Sequence, residues 1–161
     1  MRKRGFSLVE LVVVIAIMGI LLSIATLNWN QMQTKSAVES QIKTMYADLM
    51  QVRVQALYGK KARSVVISGQ QYKAYSSVVI TATALETKQL RYPVAWNGGT
   101  LTFDAQGLTN DQGSLCVLPT GDTTIVNSAA VDSIVVSQAR INLGKRTKTV
   151  GGCIGDNIEQ N

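Results

Sequence analysis

The chain has 161 residues, with 16 Lys+Arg against 10 Asp+Glu for a formal charge of +6, and a mean hydropathy of +0.13 with only 16% charged residues. Such a composition excludes a disordered chain, and the length suits one domain's worth of core. It has no histidine and two cysteines. That removes imidazole acid–base chemistry, most zinc and iron sites, and any four-thiolate metal site within one chain.

Charge is uneven from the start. Arg2, Lys3 and Arg4 precede Gly5-Phe6-Ser7-Leu8-Val9-Glu10, and no charge then occurs from Leu11 to Thr34. Leu11 to Leu27 is a nearly unbroken apolar run; as a helix it spans roughly 26 Å, near the lower limit for crossing a bilayer. The basic residues ahead of it would stay cytoplasmic. Residues alone leave three readings open. One is a cleaved secretory signal with Ser23-Ile24-Ala25 as its cut site, one a plain membrane anchor, and the third must account for Glu10. A carboxylate at the edge of an apolar segment is costly to bury without a partner.

Arg4-Gly5-Phe6-Ser7-Leu8-Val9-Glu10 resembles the leader of type IV pilins and type II secretion pseudopilins. The resemblance implies cleavage by prepilin peptidase after Gly5 and N-methylation of Phe6. It also implies a role for Glu10 in neutralising the N-terminal amine of a neighbouring subunit. Cleavage would remove Arg2, Lys3 and Arg4, and with them half of the formal excess charge.

From Lys35 the pattern turns amphipathic. Val38, Ile42, Met45, Leu49, Val52 and Ala56 recur at spacings of three and four and mark one buried helix face. Glu39 and Lys43 are an i,i+4 pair. No proline interrupts positions 6–58, and Gly59 is the expected C-cap, followed by Lys60, Lys61 and Arg63. The predicted helix is about 50 residues long.

After Gly59 the period changes to two. Strands are predicted at Ser64–Ser68 and Gln71–Ile80 around a turn at Ser68-Gly69, and at Lys88–Tyr92, closed by Pro93. Asn97-Gly98-Gly99 is a turn before Thr100–Phe103. Further strands are predicted at Ser114–Leu118, Thr123–Val126, Ser133–Gln138 and Ala139–Leu143. The fold class is therefore α+β: a long N-terminal stem helix whose C-terminal half packs on a β-rich head of short antiparallel strands. The expected division is a cleaved leader at 1–5, an apolar membrane or filament stem at 6–34, and a head at 35–161.

Leu101-Thr102-Phe103-Asp104-Ala105-Gln106-Gly107 and Gly113-Ser114-Leu115-Cys116-Val117 are similar to the head of the GspH/FimT family, as is Ile134-Val135-Val136-Ser137 with the later Gly144-Lys145-Arg146. That family comprises minor pseudopilins of type II secretion and minor pilins of type IV pili. The resemblance implies a non-enzymatic subunit, at or near a filament tip, that initiates assembly or engages cargo, with no cofactor and no metal. The implied partners are other pilins through the stem, prepilin peptidase, and the bacterial inner membrane before assembly, with the head in the periplasm. In that oxidising compartment Cys116 and Cys153 are expected to pair.

Between Tyr92 and Ala139 there are four acids and no bases, and then Arg140, Lys145, Arg146 and Lys148 follow with no acid until Asp156. Some FimT-type pilins bind DNA through a C-terminal Gly-Arg-x-Arg motif. Gly144-Lys145-Arg146-Thr147-Lys148 keeps the charge but departs from that pattern, which weakens bidentate phosphate contacts. An alternative function is therefore non-specific binding of double-stranded DNA through Arg140, Lys145, Arg146 and Lys148. The plainer reading of the same residues is a solvated strand pair, or a contact to an acidic neighbour. A tethered enzyme fares badly, because no Ser/Lys or paired-carboxylate spacing stands out.

Overall fold

The computed structural model describes residues 7–81, 83–148 and 152–160, and the side chains of residues 24–28 fall outside that description. The chain divides into two compact units, one ending at Thr34 and the next beginning at Lys35.

Helix α1 spans Leu8–Gly59. Ser7 is its N-cap: its Oγ accepts from the Glu10 N–H at 3.2 Å, and its carbonyl accepts from the Leu11 N–H. This satisfies a backbone donor that the first turn would otherwise leave open. In the first unit the large aliphatics from Leu8 to Leu22 are 40% to 78% exposed, so nothing within that unit covers the apolar run. Among the described residues no helix is long and apolar enough to cross a membrane.

In the second unit the predicted stripe is realised. Val38, Ile42, Met45, Leu49, Val52 and Ala56 are all buried, each larger one contributing roughly 1.5–3 kcal/mol relative to exposure. Two local expectations change. Glu39 does not serve Lys43; its Oε1 accepts from the Ala130 N–H at 2.8 Å, tying the helix to a distant loop. The helix also runs through Gly59, and the left-handed residue is Lys60, with φ of 50°. The Lys61 N–H closes onto the Ala56 carbonyl, the 6→1 bond of a Schellman end.

Among the described residues seven antiparallel strands form one sheet in the order β3-β1-β2-β4-β5-β6-β7. They are β1 (Arg63–Tyr75), β2 (Glu86–Trp96), β3 (Leu101–Phe103), β4 (Gly113–Val117), β5 (Ser133–Val136), β6 (Ile141–Arg146) and β7 (Ile158–Gln160). The expected turn at Ser68-Gly69 is absent. β1 continues through Gly69, whose φ of 57° marks a bulge, and Val78–Ile80 lie in the exposed connection to β2. Nor does Pro93 close β2. Pairing jumps from Gln71↔Gln89 to Gly69↔Val94, so Pro93, which has no N–H to donate, sits where the ladder is already interrupted. Side chains satisfy the interruption. Gln41 donates to the Tyr92 carbonyl and accepts from the Tyr92 N–H, both at 2.9 Å, and Gln70 donates to the Arg91 carbonyl.

Asn97-Gly98-Gly99 does turn the chain, but β3 pairs with β1 rather than with β2. The turn is built on Trp96, whose Nε1 donates to the Gly99 carbonyl. A Cβ at Gly98 would lie 2.2 Å from the indole, so only glycine fits there.

The sheet buries both faces over β4 and β5. Leu115, Val117, Ile134 and Val136 join the cluster under α1, while Cys116, Leu118, Val135, Cys153 and Ile158 form a second cluster. The alternation is that of strands covered on both sides. The C-terminal segment supplies the second cover. Its strand β7 was not expected from the sequence, and Gly144 is what admits it: a Cβ there would lie 2.4 Å from Ile158 Cγ2 and 2.8 Å from the Glu159 carbonyl.

Candidate functional site

The N-terminal site begins outside the described residues, since Gly5 and Phe6 both fall there. Glu10 is exposed in the first turn of α1. Ser7-Leu8-Val9-Glu10 has capping-box spacing, and the observed half is the Ser7 bond to the Glu10 backbone. Ser7 thus sets where the helix starts, and the negative charge of Glu10 suits the positive end of the helix dipole.

Cys116 and Cys153 form a disulfide, with Cα atoms 5.8 Å apart. Cys116 lies on β4 and Cys153 in the C-terminal segment, so the bond fastens the late segment to the middle of the sheet.

The four basic residues are not brought together. Arg140 is exposed in the turn before β6, and Lys148 is exposed beyond its far end. Along the strand they are separated by well over about 15 Å at 3.3 Å per residue. Arg146 is fully buried. Its Nη1 donates to the Thr123 carbonyl at 2.7 Å, its Nη2 donates to the Ile125 carbonyl, and its Nε has no partner. Lys145, on the opposite strand face, donates to the Asn127 carbonyl at 2.5 Å and to Asp132 Oδ2 at 3.1 Å. Two of the four cations therefore hold the β4–β5 connection instead of facing solvent. This also accounts for the absence of a strand at Thr123–Val126: the carbonyls of Thr123 and Ile125 go to a guanidinium, not to a ladder.

Asp132 anchors the same connection. Its side chain is 1% exposed and accepts from four donors: the Arg146 N–H, Ser133 Oγ, Asn127 Nδ2 and Lys145 Nζ. Arg53 makes a comparable clamp from α1, donating to the carbonyls of Gly107 at 2.7 Å and Ala139 at 2.8 Å. Neither Asp132 nor Arg53 was singled out in the sequence. Their signal is charge at a site whose surroundings are set by remote loops, and periodicity does not report that.

A further charged group sits under the sheet's edge. Lys88 bridges Asp48 at 2.7 Å and Glu86 at 3.2 Å. The hydrogen bond to Asp48 holds its pKa above the ordinary lysine value, against the opposing effect of burial. Tyr72 is buried with no partner for its hydroxyl. Burial first, then the charges of Asp48 and Glu86, push its pKa well above the usual phenol range. Among the described residues no group of three or more Cys, Asp or Glu side chains could hold a metal ion.

Residues 1–26 match the prokaryotic N-terminal methylation motif. The fold is similar to that of the type IV minor pilin FimU of Pseudomonas aeruginosa PAO1, seen in two crystal forms. One has a TM-score of 0.55 at 20% identity, covering 75% of this chain and 95% of that one. The other has a TM-score of 0.52 at 21% identity, covering 74% and 98%. The chain is pilin-like in both leader motif and fold. No curated protein matches it in sequence, so the pilin-like assignment rests on those two features. Within this pilin-like head, the basic residues near the C-terminus are architectural at Lys145 and Arg146 and exposed at Arg140 and Lys148.

Proposed function

We propose that the chain is a minor pilin or pseudopilin, a non-enzymatic structural subunit of a type IV pilus or type II secretion pseudopilus. The observation that carries this reading is the methylation motif at residues 1–26, leading into a helix whose exposed aliphatic surface has no cover within its own unit. Prepilin peptidase would cut between Gly5 and Phe6, and Phe6 would be methylated. The stem would rest in the inner membrane with the head in the periplasm, and would then pack against the stems of other pilins. Glu10 would pair there with a neighbour's N-terminal amine, because an isolated charge is costly in a dry interior and a paired one is tolerable. The subunit would act at or near the tip, in assembly initiation or cargo engagement.

The test is mass spectrometry of the protein isolated from cells with and without prepilin peptidase. The expected mature N-terminus is N-methylated Phe6, lost without the peptidase. A retained Met1, or a cut near Ala25, overturns the reading.

DNA binding is the alternative role. Its support is reduced to the exposed Arg140 and Lys148. Two phosphate contacts predict a log–log salt slope of roughly −1.8, where four would give roughly −3.6. Fluorescence anisotropy across a salt series, with Arg140→Gln/Lys148→Gln as control, decides it. No binding at low salt removes the role.

A further inference from the structure

Lys145, Asn127 and Asp132 form a group with more chemistry than an ion pair requires. Lys145 Nζ lies 3.4 Å from Asn127 Oδ1, 2.5 Å from the Asn127 main-chain carbonyl and 3.1 Å from Asp132 Oδ2. The same Asp132 oxygen accepts from Asn127 Nδ2 at 2.9 Å. One carboxylate oxygen therefore touches both the amine and the amide nitrogen. The other, Oδ1, is fixed by the Arg146 N–H at 2.8 Å and Ser133 Oγ at 2.7 Å. The Asn127 side-chain carbonyl also accepts the Ala129 N–H at 2.9 Å, which polarises the carbonyl and would hold negative charge developing on its oxygen.

We propose that Lys145 and Asn127 join in a self-catalysed intramolecular isopeptide bond, with Asp132 handling the protons. The Lys145 ammonium gives one proton to Asp132 Oδ2. The freed lone pair attacks Asn127 Cγ, forming the new C–N bond and placing charge on Oδ1 opposite the Ala129 N–H. Asp132 passes its proton to Nδ2. The Cγ–Nδ2 bond breaks, and its electron pair leaves with ammonia, which carries off the remaining proton as ammonium. The product is a secondary amide, and no oxidant, reductant or co-reactant is used.

Three features favour reaction over a resting ion pair. Lys145 Nζ already touches the Asn127 side chain at its Oδ1, 3.4 Å away, on a connection that Arg146 and Asp132 immobilise, so much of the entropic cost of bringing the two groups together is met by folding. Asp132 is 1% exposed and in direct contact with both Lys145 Nζ and Asn127 Nδ2, so the proton passes between groups already touching. The leaving group is ammonia, which does not return once it has diffused away.

The experiment is intact-mass and peptide analysis of the full-length protein, reduced and non-reduced. The expected result is loss of one ammonia and a tryptic peptide linking the segment that contains Asn127 to the segment that contains Lys145, resistant to cleavage after Lys145. Both signs disappear in Lys145→Arg, which keeps the cation, and in Asp132→Asn. A succinimide at Asn97-Gly98 would also lose ammonia, but it would persist in Lys145→Arg and would link nothing. Recovery of both segments as separate peptides from folded wild-type protein after prolonged incubation overturns the proposal. That result needs no variant, so it stands even if Asp132→Asn fails to fold.

Discussion

Two side chains in the head carry a cost that a substitution can expose. The Tyr72 hydroxyl is buried without a partner, so Tyr72→Phe removes a desolvated polar group and loses no bond. The expected effect near neutral pH is between no change and about 1 kcal/mol of stabilisation, read by urea denaturation. Its pH signature is more specific. The pKa values of Tyr72 and Lys88 are both raised in the folded state, so each favours the folded form fully below its unfolded value and loses that contribution as pH rises. Thermal stability should therefore fall from about pH 10, the ordinary tyrosine value, and Tyr72→Phe should flatten part of that fall. Lys60 bears a different cost. It takes the left-handed conformation that glycine adopts freely, and Gly59 stands one residue too early to relieve it. Lys60→Gly should stabilise the head by roughly 0.5–1 kcal/mol, visible as a raised Tm.

At the scale of elements, the β4–β5 connection stays in place through its charged contacts to β6. Arg146→Met would leave the carbonyls of Thr123 and Ile125 without their donor, and hydrogen bonds to a charged group are worth about 1.5–3 kcal/mol each. A loss of at least about 2 kcal/mol is expected in equilibrium unfolding, whereas Arg140→Gln, at an exposed site, should change stability by less than about 0.5 kcal/mol. The contrast explains what the sequence could and could not convey. The stripe from Val38 to Ala56 was legible because a 3.6-residue period has one physical cause, burial of one face. The core of β4 and β5 was legible from short apolar runs, Leu115-Cys116-Val117 and Ile134-Val135-Val136. The basic run was legible as charge, but a linear pattern does not show which cations find carbonyls from a loop twenty residues away. Thr123–Val126 had strand composition and lost its ladder to Arg146. Gly144 sits where β7 crosses too closely for a side chain, and nothing in its linear surroundings shows that crossing. Strand β7 itself is three residues, buried Ile158 followed by exposed Glu159 and Gln160, too short for alternation to register.

For the molecule as a whole, the disulfide matters more than its single bond suggests, because it closes a 37-residue separation across the second cluster. The double variant Cys116→Ser/Cys153→Ser should cost about 4 kcal/mol in the chain-entropy account, read as a lowered Tm with the helix-side cluster intact. If the lysine–asparagine bond forms as well, the connection and the C-terminal segment are both covalently tied to the sheet, and the reduced protein should keep one of the two ties. The pairing of Cys153 and Ile158 with Cys116, Leu118 and Val135 also has a bearing on biosynthesis. The ribosome makes α1 and the first six strands before residues 153–160. Until those residues emerge, one side of the sheet is bare and the edge of β6 has no neighbour. Completion of the head therefore waits on residues 153–160, and a nascent chain stalled short of Cys153 would present an unfinished sheet to whatever factor holds it.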